Sequence, residues 1–291
     1  MTLKIFLILV IGIFFTGCFQ LKNEEKLFFA ELKEDFKGVE VQNGVSFLGV
    51  DVGGLGIENV TQVVLDSRGK INKSPRDAYV DHETWDIVTE VEGEILDIEL
   101  TVLDIFGADV GKSVRPVVKT LMPRVSYESL RQKIRVIGWH STILNDGQVD
   151  RNFNIKRAAG KIDKVKVAAG EDFSFNEVVG NCSVENGYRL APVIVKRDDE
   201  YVMEEGPGGG VCQVSTTLFN AISMAGLEVL ERHSHSKQVG YALQGDDAAI
   251  VWGYADFRFR NTNDFPVMIR TFSAEDSLCV EVWENRIKSA P

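Results

Sequence analysis

A run of glycines leads directly into a helical pattern in the C-terminal half of the chain, which leaves few choices for the local fold. Gly208, Gly209 and Gly210 precede a segment in which apolar residues recur at helical spacing. Those apolar residues are Val214, Leu218, Ala221, Ile222 and Ala225. Gly226 then supplies the kind of residue that commonly ends a helix. The pattern predicts a helix that ends near Gly226 and carries Cys212 in its first turn.

A cysteine in the first turn of a helix lies in an environment that favours nucleophilic chemistry. Unpaired backbone N–H groups and the positive end of the helix dipole stabilise a thiolate there, so we expect the pKa of Cys212 to be lowered. Neighbouring N–H groups can also stabilise an oxyanion. Because glycines free the backbone to approach a ligand, we expect Gly208, Gly209 and Gly210 to shape a binding pocket. The structural alternative is a buried cysteine beside a tightly packed glycine-rich turn.

Candidate partners for the thiol follow closely along the chain. The segment LEVLER alternates like a strand and leads to His233 and His235, so helix, turn and strand form a return path toward the helix start. Asp246, Asp247 and Asp256 come next and are candidates to orient an imidazole. Two adjoining strands are predicted within residues 238–261. Either histidine could face the thiol.

Several motifs, in order along the chain, resemble those of the VanW-like family. They are RNFNIKRAAGKI, AGEDFSFNEVVG, GYRLAPVIV, GGGVCQVSTTLFNA, GLEVLERHSHSKQVGY, GDDAAIVWG and DFRFRN. The resemblance covers approximately residues 138–272. The earlier segment PRDAYVDHETWDIVTEVEGEILD resembles, through its hydrophobic pattern, the peptidoglycan-binding domain that often precedes a VanW domain.

The resemblance implies an activity and assigns roles to individual residues. Some VanW-domain proteins act as L,D-transpeptidases, which cross-link peptidoglycan through the motif cysteine, and that cysteine falls on Cys212 here. The family's His-Ser motif falls on His235 and Ser236, and its Gly-x-Asp-Ala motif includes Asp247. By this resemblance Cys212 is the nucleophile, His235 the base and Asp247 the group that orients the base. The expected substrate-binding residues, for peptidoglycan stem peptides, are Gly208, Gly209, Gly210, Gln213 and Ser236.

Other functions stay open on the same residues. Water could replace the acceptor amine, which would make the protein a cysteine peptidase that hydrolyses stem peptides. The domain could also bind peptidoglycan without catalysis, or act as an accessory lipoprotein that recruits other wall enzymes.

The N-terminal segment MTLKIFLILVIGIFFTGC resembles a bacterial lipoprotein signal. Lys4 precedes an apolar stretch that is too short for a comfortable membrane span, and the segment ends in Thr-Gly-Cys. We therefore expect residues 1–17 to be a lipoprotein signal peptide, Cys18 to be lipidated, and the protein to be an extracytoplasmic, membrane-anchored lipoprotein of the cell envelope. An ordinary signal peptide or an uncleaved anchor is the alternative.

The remaining chain predicts an α+β protein with two domains. Residues 18–38 form an anchor or tether helix, and residues 39–137 a small α+β domain that binds peptidoglycan. Residues 138–285 form the VanW domain, with the cysteine-bearing helix packed on an antiparallel sheet. Within these domains the pattern predicts a hairpin turning near Glu92–Gly93, and a short helix with Asn154 as its N-cap.

Charge and cysteine content restrict the partners further. The formal net charge is −11 and no basic residues cluster, so we expect no nucleic-acid partner. Three cysteines remain if Cys18 is lipidated, and Cys182 and Cys279 could either pair or stay as isolated thiols. No His/Cys cluster has metal-ligand spacing, so neither a metal nor another cofactor is expected.

Overall fold

The computed structural model describes residues 32–198 and 200–287, and these divide into two compact units. Unit 1 contains the described residues up to 76 together with 91–123. Unit 2 contains residues 77–90 and the described residues from 124 onward. Both units mix helices and strands, so the predicted α+β class is confirmed. The predicted signal peptide and the lipidation site at Cys18 lie outside the described residues, as does most of the predicted tether.

The helices and strands follow one another along both units. The helices are α1 (Ile57–Asp66), α2 (Arg68–Ile71), α3 (Ile98–Phe106), α4 (Tyr127–Arg131), α5 (Val149–Ile162), α6 (Phe175–Val179) and α7 (Val211–Ala225). The first eight strands are β1 (Ser46–Phe47), β2 (Val50–Asp51), β3 (Tyr79–Val80), β4 (Ile87–Val88), β5 (Gly93–Leu96), β6 (Ser113–Val114), β7 (Val118–Leu121) and β8 (Ile134–Ile143). The others are β9 (Lys166–Val167), β10 (Asp172–Ser174), β11 (Leu190–Arg197), β12 (Glu200–Pro207), β13 (Glu228–Glu231), β14 (Arg258–Arg260), β15 (Val267–Ser273) and β16 (Ser277–Asn285). Within the described part of the chain, no helix is both long and apolar enough to cross a bilayer.

Unit 1 is a small helix-and-sheet unit with its own apolar core. Strand β1 pairs antiparallel with β2 and parallel with β6, while β5 pairs antiparallel with β7. Helix α1 buries Ile57, Val60 and Val64, whose spacing matches one face of a helix. Helix α3 is capped by Asp97, whose side chain accepts from the backbone N–H of Leu100.

The predicted hairpin turn near Glu92–Gly93 is wrong. Gly93 is the first residue of β5, where a side chain would place its Cβ 2.5 Å from the Lys73 carbonyl oxygen. The residue is glycine because two backbone segments approach closely, not because the chain turns. The hairpin of this region joins β3 to β4, and its turn is closed by Asp81, whose carboxylate accepts from the backbone N–H groups of Glu83 and Thr84.

Unit 2 is built on an antiparallel sheet of order β8-β16-β15-β9, and α7 packs on β8 and β16. The helix and β8 approach so closely at Gly138 that a Cβ there would collide with the backbone of Ala221. One turn earlier, the hydroxyls of Thr142 and Thr217 are 2.9 Å apart and hydrogen-bonded. The prediction of a cysteine-bearing helix on an antiparallel sheet is confirmed. The domain boundary predicted at 137/138 falls inside β8.

Helix α5 begins earlier than predicted, at Val149, so Asn154 is not its N-cap. Asn154 is fully buried within the helix. Its Oδ1 accepts from the backbone N–H of Arg189, and its Nδ2 donates to the carbonyls of Arg189 and Gly209. This buried amide therefore ties α5 to the start of β11 and to the glycine run.

A second sheet of order β10-β14-β13 and the hairpin β11–β12 complete unit 2. Of the two strands predicted within residues 238–261, only β14 forms. Residues 240–256 are loop, held by single bridges between His233 and Ala249 and between Val251 and Ala255. A loop that is held by only a few backbone hydrogen bonds can orient its side chains in directions that the alternation of a regular strand does not allow.

Candidate active site

Cys212 lies at the start of α7, where the sequence predicts it. Gly210 precedes the helix with φ +101°, a left-handed conformation that glycine adopts without strain. The Cys212 side chain is half-buried, with Sγ 3.6 Å from the carbonyl oxygen of Ile250. Within the described residues, the backbone N–H of Cys212 donates no hydrogen bond. The thiol and a free amide donor therefore belong to the same residue at the positive end of a helix.

The protonation of this thiol differs from the sequence-based expectation. Burial raises the pKa of Cys212 above its ordinary value, and the opposing effect of the nearby Arg151 cation is smaller. The expectation of a lowered pKa is therefore wrong for this arrangement, because removal from water outweighs the favourable position at the helix start. The thiol is protonated at neutral pH, so its use as a nucleophile requires a base.

The three glycines before Cys212 are explained by close packing within the protein. A Cβ on Gly208 would lie 2.6 Å from Cys182 Cβ, and one on Gly209 would lie 2.6 Å from the Ala191 carbonyl oxygen. One on Gly210 would lie 2.8 Å from Arg151 Cγ. The expected pocket is therefore not formed on the Cβ side of these residues, because neighbouring chain fills it. Their role is to seat the start of α7 tightly against its neighbours.

Two hydrogen-bonded segments connect α7 to the predicted base. The hydroxyl of Ser215 donates to the carbonyl of Ala248 at 2.6 Å, and the N–H of Ala248 donates to the Thr216 hydroxyl at 3.0 Å. The next residue, Ala249, donates its N–H to the carbonyl of His233 at 2.7 Å. The segment carrying Asp247 thus lies on the cysteine-bearing helix, and the segment carrying the histidines pairs with it in turn.

His235 and Asp247 form a buried pair within these segments. The imidazole Nδ1 is 2.6 Å from Asp247 Oδ2, and the backbone N–H of His235 donates to the same oxygen. The two side chains are 9% and 7% exposed. Burial acts to raise the pKa of Asp247, but the hydrogen bonds from His235 outweigh it, so the pKa of this carboxyl lies below its ordinary value. Asp247 is therefore an ionised acceptor at neutral pH.

Tyr241 is a site residue that sequence reasoning missed. Its hydroxyl is 3.4 Å from Nε2 of His235, and the two rings meet edge to face with centroids 6.2 Å apart. Burial raises the pKa of Tyr241, and the nearby Cys212 thiol raises it further, so the hydroxyl stays protonated. In the described residues no hydrogen bond joins Cys212 Sγ directly to His235. A signal was available, since Tyr241 closes the motif that contains both histidines.

Other predicted site residues lie away from the thiol or are fully occupied. His233 is 44% exposed and places Nε2 2.9 Å from a carboxylate oxygen of Glu231. Ser236 is exposed. Gln213 is buried, and its amide is used entirely within the protein, including an Oε1 that accepts from Arg151 Nη2 at 2.7 Å. Gln213 therefore positions Arg151 and offers no group to a substrate.

Among the described residues, no cysteine forms a disulfide and no metal site is evident. Cys182, Cys212 and Cys279 all carry free thiols, so the alternative of a Cys182–Cys279 bond is not realised. Cys182 lies beside Gly208, whereas Cys279 lies on β16. Over residues 32–198 and 200–287, no group of His, Cys, Asp and Glu side chains is arranged to hold a metal ion.

Comparison with known proteins identifies the region that contains this site. Residues 150–283 match the family described as "VanW like protein". The chain is 39% identical to "Uncharacterized protein YoaR" of Bacillus subtilis over 168 residues, which cover 57% of this chain and 54% of that protein. It is 24% identical to "Vancomycin B-type resistance protein VanW" of Enterococcus faecalis over 144 residues, which cover 48% of this chain and 51% of that protein. The chain thus spans about half the length of these relatives. No solved structure is significantly similar to it.

Proposed function

We propose that the VanW-like domain at residues 150–283 acts on peptidoglycan stem peptides as a cysteine-dependent L,D-transpeptidase. One observation carries the proposal: the hydrogen-bonded segments 233–235 and 247–250 bring a buried His–Asp pair to the end of α7 that holds Cys212. A relative named for vancomycin resistance supports the coarser statement, that the protein has a cell-wall-related role. The more specific proposal, L,D-transpeptidase activity, is supported by the resemblance of the cysteine motif to that of family members with this activity.

The proposed reaction begins with acylation of the thiol. The Sγ of Cys212 bonds to the carbonyl carbon between an L-centre and a terminal D-residue, and the thiol proton passes to His235. The Cys212 N–H is the candidate donor to the oxyanion that forms. The C–N bond then breaks as His235 returns the proton to the leaving nitrogen, which releases the terminal residue as a free amino acid. Asp247 keeps the imidazole oriented and stabilises its charged form.

The second half of the reaction transfers the acyl group. An amine from a second stem peptide attacks the thioester, the carbon–sulfur bond breaks, and the thiol is regenerated as the new amide forms. The proton lost by the amine returns to sulfur through His235. A thioester suits this step because an amine can aminolyse it in competition with water.

The Tyr241 hydroxyl is a candidate for a part in both proton transfers. The hydroxyl lies 3.4 Å from Nε2 of His235, and its pKa is raised by burial and by the nearby Cys212 thiol. We infer that the hydroxyl relays a proton between sulfur and imidazole. It gives its own hydrogen to one of the two groups while it accepts a hydrogen from the other. This role accounts for a base that makes no direct hydrogen bond to the thiol.

A non-catalytic role in binding peptidoglycan is the second candidate. It is favoured by the raised pKa of Cys212 and by the contact of Sγ with the Ile250 carbonyl, both of which are compatible with an inert thiol. In that case residues 233–250 would form a binding loop with no acyl transfer.

The proposed setting is the outer side of the cytoplasmic membrane, with a lipid on Cys18 as the anchor. Residues 39–137 would bind or space the wall polymer. If this is right, Cys18→Ala releases the protein into the soluble fraction. Equal retention of Cys18→Ala and the native protein in membranes would reject the lipid anchor.

Product analysis on purified stem peptides tests the function. The native protein is compared with Cys212→Ala and with Cys279→Ala, which removes a thiol from β16 instead. Transpeptidation is supported if the native and Cys279→Ala proteins make a cross-linked peptide dimer and Cys212→Ala does not. Hydrolysis is supported if they instead make a peptide shortened by its terminal residue. Bound but unchanged peptide supports the binding module, and no interaction rejects all three.

A further inference from the structure

The site contains an arginine, Arg151, that has no acidic partner among the described residues. Arg151 lies in the first turn of α5, and its Cγ fills the space that a Cβ on Gly210 would need, so the side chain lies beside the start of α7. Its Nη2 donates to Gln213 Oε1 at 2.7 Å, and its Cζ lies 5.7 Å from the centre of the Tyr241 ring. Two fixed neighbours therefore hold the guanidinium in one orientation.

The support behind this orientation is rigid. Gln213 is 1% exposed, and its Nε2 donates to the Thr142 hydroxyl at 3.0 Å and to the Ile143 carbonyl at 2.9 Å. These hydrogen bonds fix which end of the amide is the oxygen, because Nε2 faces two acceptors. The Gln213 oxygen therefore faces Arg151. The guanidinium carries five N–H donors, and this single oxygen cannot accept hydrogen bonds from all of them.

The other terminal nitrogen of Arg151 is unsatisfied. Nη1 is inaccessible to solvent and has no hydrogen-bond partner among the described residues, and no described carboxylate forms an ion pair with Arg151. Burial lowers the pKa of Arg151, and the ionisable groups of Tyr241 and Cys212 oppose that effect. A buried cationic donor without an anion costs free energy, and an anionic ligand removes that cost.

We propose that Arg151 binds the terminal carboxylate of the acyl donor, so that the site selects peptides whose scissile bond precedes a single free-ended residue. This inference rests on the proposed function. In such a donor, only the amide nitrogen and one α-carbon separate the scissile carbonyl from the carboxylate. Because Arg151 packs beside Gly210, two positions before Cys212, its guanidinium is the candidate to hold that carboxylate while Cys212 meets the carbonyl. Arginine suits the task because charge-assisted hydrogen bonds to carboxylates are strong and directional.

A structural role for the same cation makes a different prediction. Arg151 could instead stabilise the Cys212 thiolate, and its removal would then shift the pH dependence of thiol alkylation. Two features favour the carboxylate: no hydrogen bond joins Arg151 to Sγ in the described residues, and the pKa of Cys212 is raised despite the cation.

Paired donors that differ only at the C-terminus test the proposal. The probes are a stem tetrapeptide with a free terminal carboxylate and the same peptide with a terminal amide. The native protein is expected to prefer the acid by roughly 10-fold or more in kcat/KM, as for a hydrogen bond to a charged group. Arg151→Gln should remove this preference by raising KM for the acid while the amide is unaffected, and Arg151→Lys should restore part of it. Lys156→Gln, which removes an exposed charge from the same helix, should behave as the native protein.

The outcomes separate this inference from the proposed function. If the native protein turns over both peptides equally, or if Arg151→Gln slows both equally, the inference is wrong while the transpeptidase remains. If Arg151→Gln shifts the pH profile of Cys212 alkylation without changing the acid-to-amide ratio, Arg151 serves the thiolate instead. If the native protein turns over neither peptide, calorimetric binding of the two to Cys212→Ala decides. Tighter binding of the acid, lost on adding Arg151→Gln, supports the carboxylate site, and equal binding rejects it.

Discussion

The imidazole Nδ1 of His235 lies 2.6 Å from Oδ2 of Asp247, and this contact fixes which way the ring points. The carboxylate only accepts, so Nδ1 carries a hydrogen, and Nε2 faces the Tyr241 hydroxyl 3.4 Å away. His233, two positions earlier, turns outward to Glu231 at the surface. The irregular backbone of this segment therefore separates two histidines that a strand would have placed on the same side.

This separation predicts unequal effects of removing the two rings. His235→Ala should lower kcat by roughly 10²–10⁴-fold, the usual contribution of general acid–base catalysis. His233→Ala should stay within a few-fold of the native rate, because its ring lies at the surface with Glu231. Steady-state kinetics on a stem-peptide donor measures both. Equal losses in the two variants would show that the base is wrongly assigned.

The position of Tyr241 predicts a role in proton transfer that does not affect folding. Tyr241→Phe keeps the ring that packs against His235 and Arg151 and removes only the hydroxyl. We expect kcat to fall roughly 10-fold with little change in KM, which corresponds to about 1.4 kcal/mol of transition-state stabilisation. Thermal unfolding should shift little. An unchanged kcat would exclude the hydroxyl from the reaction and require His235 to reach the thiol directly.

The lowered pKa of Asp247 predicts a pH-dependent contribution to stability. A carboxyl whose folded pKa lies below its unfolded value of about 4 stabilises the fold above that value, and the contribution is lost as pH falls through the folded pKa. Asp247→Asn should therefore be less stable than the native protein by roughly 1–3 kcal/mol near neutral pH. Urea unfolding at several pH values should show this difference shrinking under acid conditions. A difference independent of pH would mean that the ionised pair does not stabilise the fold.

The left-handed conformation of Gly210 predicts a strong effect of adding a single methyl group. Gly210→Ala combines an unfavourable φ of +101° with close contacts to Arg151 and Ile155, so we expect it to destabilise the fold by roughly 2–4 kcal/mol. Gly160→Ala is the matched control, because that glycine lies within α5 with open space beside it and no positive φ. The control should be neutral or stabilising by up to about 1 kcal/mol. Similar unfolding midpoints for the two variants would contradict the packing explanation of the glycine run.

The sequence predicts the position of the nucleophile and the class of fold because both depend on local patterns. The glycine run and the apolar spacing after it specify a helix, with Cys212 at its start and Gly226 at its end. The resemblance also assigns His235 and Asp247, which the structure brings together. The helix can be predicted because helix signals depend on residues that are close in sequence. His235 and Asp247 can be assigned because the family motifs occur in the same order along this chain.

The remaining site features depend on contacts between segments that are distant in sequence. The use of Gln213 to hold Arg151 requires α5 and α7 to be adjacent, and no local pattern states that adjacency. The pKa of Cys212 has the opposite direction from the one expected, because burial is a property of the packed unit rather than of the helix start. The turn predicted at Gly93 is wrong for a similar reason. The residue must be glycine because the backbone of Lys73 packs against it, and the local sequence does not reveal that contact.

The proposed function requires Cys212 to form a covalent acyl intermediate, which intact-protein mass spectrometry can detect. The native protein and Cys279→Ala are mixed with a stem tetrapeptide donor in the absence of an acceptor amine, and the reaction is quenched in acid. Both should gain the mass of the donor less that of the released terminal amino acid, and peptide mapping should place the adduct on Cys212. Cys212→Ala should gain no mass. The absence of any adduct on the native protein, together with equal product formation by the native and Cys212→Ala proteins, would contradict this requirement.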